Sequence, residues 1–154
     1  MEKIIDLFFI INLLLISYID YKSCEIPDAL NLFILLLKGI KIFFFNYSFE
    51  NSIIGFGVYP IILLVIYGYV SNIVGKELIG FGDVKLLSSI GFYIGYSSLF
   101  AVVYYYNIIC LVGIVLCYVI LKIVKKKEIR GVQIPFAPIV CLALFVLEVL
   151  EVTK

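Results

Sequence analysis

Asp20, Asp28 and Asp83 stand where an apolar chain has least reason to keep a charge. Asp20 closes an apolar run in Ser17-Tyr18-Ile19-Asp20-Tyr21, Asp28 follows Ile26-Pro27, and Asp83 lies in Gly80-Phe81-Gly82-Asp83-Val84-Lys85 as another run begins. Ionisable groups at membrane depth are expensive and are functional candidates by default. If the runs carrying Asp20 and Asp83 are neighbours, the two carboxylates can face each other. Two carboxylates held close in a low dielectric do not both ionise readily, so one keeps a proton near neutral pH. The ionised member can then take a proton from an attacking water while the other donates to a carbonyl oxygen, which is peptide hydrolysis by an aspartic pair. Gly80 and Gly82, lacking a Cβ, let a substrate backbone come near the aspartate. Lys85 is placed to bias the titration of the pair or to bind a loop carboxylate.

Carboxylates must carry any such chemistry, because the 154 residues include no histidine. Ser-His and Cys-His pairs, HExxH zinc sites and imidazole relays are all excluded. Hydrophobic residues make up 64% of the chain and charged ones only 15%, too little polar surface to cover a soluble globule. Six spans of about 20 residues would use roughly 120 and leave about 34 outside the bilayer, with no room for an extramembrane domain. A net charge of +1 gives no basic stripe for nucleic acid. Cys24, Cys110, Cys117 and Cys141 form no CxxC pair. The last three sit in apolar runs and read as small buried hydrophobes; Cys24 lies in a polar loop without a base beside it.

The elements that must position these residues are apolar runs at Ile4–Ile19, Ala29–Phe45, Ile53–Val74, Val84–Tyr96, Leu99–Val124 and Ile134–Leu150. They predict an all-α bundle of six transmembrane helices in one domain over residues 1–154. The first run has neither a signal-peptide n-region nor a cleavage site and reads as a retained span. The second contains Lys38, Gly39 and Lys41, so it must let its lysines snorkel or end early. Asn46 to Asn51 reads as a loop, and the fourth run is short unless its helix begins within the preceding glycines. Lys22, Lys76, Lys85, Lys122, Lys125, Lys126, Lys127 and Arg130 fall on one side, against Lys3, Lys38, Lys41 and Lys154 on the other. The positive-inside rule puts the first group, with Asp20, Asp28 and Asp83, at the cytoplasmic face. Glu2, Glu50, Glu128, Glu148 and Glu151 read as solvated at termini or span ends, and Asp6 as reaching the outer interface. Residues alone also allow a bland reading, in which Asp20 caps a helix end and Gly80 to Asp83 is a turn before an N-capping aspartate.

Taken together, Asp20 to Asp28 with its Ile26-Pro27-Asp28 ending, Gly80-Phe81-Gly82-Asp83-Val84-Lys85 and Pro135-Phe136-Ala137-Pro138 resemble three motifs of the type IV prepilin peptidases. The last two match that family's GxGD[VA]K and PF[GA]P patterns, in the same order and on alternate loops. The resemblance implies a membrane-embedded aspartic peptidase acting at the cytoplasmic face of the cell membrane, with Asp20 and Asp83 as the catalytic pair. It implies supporting roles for Gly80, Gly82, Lys85, Pro27, Asp28, Pro135 and Pro138. Asp28 would stabilise the loop or cap the second span, and Pro27 would set that helix's start. Substrates would be prepilins, pseudopilins or archaellins with a short basic leader and a hydrophobic helix, and no metal or organic cofactor is implied. Larger members carry a CxxC-bearing segment after the first span and methylate the new N-terminus. This chain lacks CxxC and resembles the compact archaeal and Tad-type subgroup, so methyl transfer is expected to be absent. It also lacks the PAL motif of the presenilin branch. Two rivals are a small transporter using the aspartate pair as a cation site and a non-catalytic scaffold of pilus assembly.

Overall fold

The computed structural model describes residues 1–75, 79–123 and 135–152. Among them the chain is all-α, with helical segments α1 (Glu2–Ser23), α2 (Asp28–Phe45), α3 (Phe49–Val74), α4 (Phe81–Ile94), α5 (Leu99–Ile123) and α6 (Ala137–Val152). The basic loop expected over Lys125 to Gly131 lies outside the described residues, as do Lys76 and Glu77. Local chemistry accounts for most boundaries. α1 ends where Cys24 turns left-handed and donates its N–H to the Asp20 carbonyl. Extended Pro27 starts α2, where a missing N–H costs nothing. Ser48 accepts the Asn51 N–H and starts α3 at Phe49, so the loop expected through Asn51 ends earlier. Within α3, Pro60 interrupts the ladder and a π-helical turn follows at Ile66–Val70.

Among the described residues three helices are long and apolar enough to cross a membrane: Glu2–Ser23, Phe49–Val74 and Leu99–Val119. Their outward faces stay apolar, with Leu7, Phe8, Leu111 and Val115 exposed, while Asn12, Asp20, Asn31, Lys38, Lys41 and Ser52 are buried. That inversion suits lipid outside and paired polar groups inside. Cys110 belongs to the outward face, so it is not the buried hydrophobe its apolar run suggested.

The fourth segment does begin inside the glycine stretch, at Phe81, and with 14 residues it is only about 21 Å long at about 1.5 Å per residue. It is also the most enclosed helix. Leu86, Leu87, Ser89 and Ile90 are buried, with α2 and α3 packed on either side. The α3–α4 contact is backbone on backbone: a Cβ on Gly55 would lie 2.3 Å from the Gly91 carbonyl oxygen. α1 packs on α2 and α6, and α5 on α6.

Lys38 and Lys41 neither snorkel outward nor end α2. Both are buried, in a polar cluster at the end of the bundle opposite Asp20. Lys41 Nζ binds Asp6 Oδ1 at 2.8 Å, Tyr93 Oη donates to the same oxygen at 2.6 Å, and Tyr47 Oη donates to Glu2. Lys38 Nζ sits 4.6 Å from the centroid of the Tyr47 ring. Asp6 therefore joins α1, α2 and α4 rather than simply facing the outer interface. The Lys41 side chain is 8% exposed and that of Asp6 40%, so the two truncations should differ. Asp6→Ala leaves the buried Lys41 ammonium with Glu2 alone, 3.7 Å away, and is expected to cost about 2 kcal/mol. Lys41→Met leaves a carboxylate that water can reach and should cost less; thermal unfolding in detergent checks the order.

Candidate active site

Asp20 occupies the last turn of α1, close to the start of α6. It is 3% exposed, and its Oδ2 accepts the Ala137 N–H at 2.8 Å. The first N–H groups of a helix have no partner within it and present the positive end of its dipole. Pro138 in that first turn gives up an N–H the helix does not need, and Pro135 precedes the turn. The Pro135 to Pro138 segment thus meets Asp20 through the backbone of Ala137, a residue that the sequence did not single out.

Asp83 lies in the first turn of α4 but is not the N-cap. Gly80 takes that position, and Asp83 Oδ2 accepts the Gly80 N–H at 3.2 Å while the Asp83 N–H reaches the Gly80 carbonyl at 3.1 Å. The two glycines divide their roles. A Cβ on Gly80 would have only Asp83 and Gly82 near it, which leaves that side open, whereas one on Gly82 would stand 3.4 Å from Ile26 Cβ. Gly82 therefore lets the first turn of α4 pack on the Ile26-Pro27-Asp28 loop, and the space beside Gly80 stays open.

Asp28 and Lys85 pair with each other. Lys85 Nζ donates to both Asp28 carboxylate oxygens at 2.9 Å, tying the first turn of α2 to that of α4. Of the two expectations for Asp28, loop stabilisation fits this geometry. Capping does not, because Pro27 is the N-cap and no side-chain cap bond forms. Both partners are well exposed, at 41% and 71%, so a double-mutant cycle with Lys85→Met and Asp28→Asn is expected to give a coupling of about 0.5 kcal/mol.

Asp20, Asp28, Asp83 and Lys85 thus share one end of the bundle, where the start of α4 meets the loop between α1 and α2 through Gly82 and the start of α2 through Lys85. Asp20 and Asp83 each carry a backbone N–H on one oxygen and keep acceptor capacity for a water or a substrate. A groove of about 620 Å³ opens at the Asp28–Lys85 pair between α2, α3 and α4, lined by neither Asp20 nor Asp83. It holds a residue that sequence reasoning passed over. Asn31 is buried there with both amide atoms unpartnered. A polar residue three positions after Asp28, on the same helical face, was the available signal.

Residues 7–123 match the family model described as the type IV leader peptidase family. The chain is similar to a prepilin leader peptidase/N-methyltransferase of Stutzerimonas stutzeri, 34% identical over 134 residues, which are 86% of this chain and 44% of that protein. It is also similar to one of Pectobacterium carotovorum subsp. carotovorum, 32% identical over 90 residues, covering 56% of this chain and 32% of the relative. The chain therefore spans less than half the length of these relatives. No solved structure matches it significantly.

Proposed function

From the premise that this chain belongs to the type IV leader peptidase family, we propose that it is an aspartic endopeptidase that removes the leader from prepilin-like proteins. The observation that carries the reading is the placement of Asp20, at the end of α1, and Asp83, at the start of α4, at one end of the bundle, where α4 packs through Gly82 on the loop that follows Asp20. One carboxylate, ionised, takes a proton from water as the water oxygen bonds to the scissile carbonyl carbon. The other, protonated, gives its proton to the carbonyl oxygen. The C–N bond then breaks as a carboxyl group returns a proton to the departing nitrogen, leaving a leader with a free carboxyl end and a mature protein with a free amine.

The substrates of this reading are precursors with a short basic leader and an apolar segment, which can stay at membrane depth while the leader meets the aspartates. The lysine distribution puts the site at the cytoplasmic face of the cell membrane. Asp28, Lys85 and Gly82 serve as the frame that holds α2 against α4 beneath Asp83. The reading is confined to proteolysis. The curated relatives are named N-methyltransferases as well, but this chain has no CxxC pair.

The test is co-expression with a candidate prepilin-like precursor, followed by gel mobility and mass of the mature N-terminus. Loss of the leader with an unmethylated amine is the expected result. An unprocessed precursor, correctly inserted, would favour the scaffold reading, and a methylated product would extend the activity beyond proteolysis.

A further inference from the structure

The groove between α2 and α4 runs along residues Asp28 to Leu35 of α2, a length of about 10 Å or two helical turns. Leu35, Phe56, Phe81 and Val84 contribute to its apolar walls. Its polar groups are satisfied except at one place. The Ser88 and Ser89 hydroxyls donate to the carbonyls of Val84 and Lys85, each at 3.0 Å, and Lys85 is paired with Asp28. Asn31, 6% exposed, has neither its Oδ1 nor its Nδ2 bonded. A buried amide left without partners is costly and asks for an explanation.

A lipid acyl chain would fill the apolar walls and offer Asn31 nothing. A peptide unit carries one N–H and one C=O, the complement of an amide's acceptor oxygen and donor nitrogen. The groove lies at the same end of α4 as the candidate site: Val84 and Lys85 on its wall come one and two residues after Asp83. We propose that this groove takes the start of the apolar segment on the carboxyl side of the substrate's scissile bond, with the Asn31 amide turning into the groove to hydrogen-bond an extended backbone peptide unit there. The proposal rests on the peptidase reading and assigns that reading a substrate-binding surface with Asn31 as its polar anchor. It also gives the Asp28–Lys85 pair a place at the mouth, where a chain leaving the aspartates would turn toward lipid.

The test uses the full chain in liposomes with a precursor bearing a basic leader and an apolar segment. Wild type must first cut this precursor; failure there overturns the peptidase reading and this inference with it. Given cleavage, a benzophenone amino acid at Leu35 in the Asp83→Asn variant is expected to cross-link the precursor. The same probe at Leu111, on the outward face of α5, is expected not to. Asn31→Leu is expected to raise KM about ten-fold with little change in kcat, as loss of a hydrogen-bonded anchor would. Cross-linking from Leu35 to lipid alone, or equally from both positions, would overturn the groove assignment. An unchanged KM in Asn31→Leu, or a fall in kcat alone, would overturn the role of Asn31.

Discussion

Asp83→Asn and Asp20→Asn are each expected to lower the rate of leader cleavage about a thousand-fold or more, with substrate binding largely kept. Asparagine is the informative replacement at both positions. It keeps the side-chain volume and an acceptor oxygen for the N–H of Gly80 or Ala137, but it can neither take a proton from water nor exchange one with its neighbour. Asp20→Ala confounds the result, because the Ala137 N–H would be left buried without a partner at a cost of about 1–3 kcal/mol. In the proposed mechanism the two carboxylates act as one proton-sharing unit, so the double Asn variant should be little worse than either single one. The same sharing predicts a bell-shaped pH profile in the wild type, falling on the acid side as both become protonated and on the alkaline side as both ionise. Normal processing by either Asn variant in a time course would sink the pair.

The sequence made these aspartates visible because polar residues are rare in this chain and therefore conspicuous. Asp20, Asp83, Gly80, Gly82, Pro27, Pro135 and Pro138 each border an apolar run, and all lie at one end of the bundle. What each touches was hidden for the same reason. When nearly every helical position is apolar, hydrophobic periodicity no longer separates a face packed on a neighbour from one packed on lipid. α4 shows the difficulty. Its short run suggested a marginal span, whereas Leu86, Leu87 and Ile90 are buried at the centre of the bundle. Lys38 and Lys41 read as lysines that must snorkel or end their helix early, and they are instead covered by Tyr47, Tyr93 and Asp6, which come from three separate segments. The Ala137 N–H on Asp20 joins residues 117 apart in sequence. Nothing local in either segment shows that pairing.

The same backbone contacts that hide from the sequence make α4 vulnerable at a point remote from the aspartates. Gly91→Leu is expected to destabilise the protein by at least about 3 kcal/mol, and even Gly91→Ala by about 1–2 kcal/mol. A Cβ at Gly91 would stand 2.5 Å from the Gly55 carbonyl oxygen and 2.7 Å from Tyr59 Cβ. Neither obstacle is the free end of a flexible side chain, so α3 and α4 must move apart. α4 is wedged between α2 and α3, and the displacement reaches Asp83 eight residues up the helix, about 12 Å away. A shift near 1 Å in a reacting group can cost about a hundred-fold in rate, so activity should fall further than the unfolded fraction accounts for. Gly57 and Gly39 supply the control, because a Cβ at either meets nothing within 4 Å. Alanine there is expected to be neutral or slightly stabilising, as removing a helical glycine normally is. Unfolding in detergent and cleavage rates, measured together on Gly91→Ala and Gly57→Ala, separate the two cases. Equal behaviour of the pair would mean that α3 and α4 do not meet through Gly55 and Gly91.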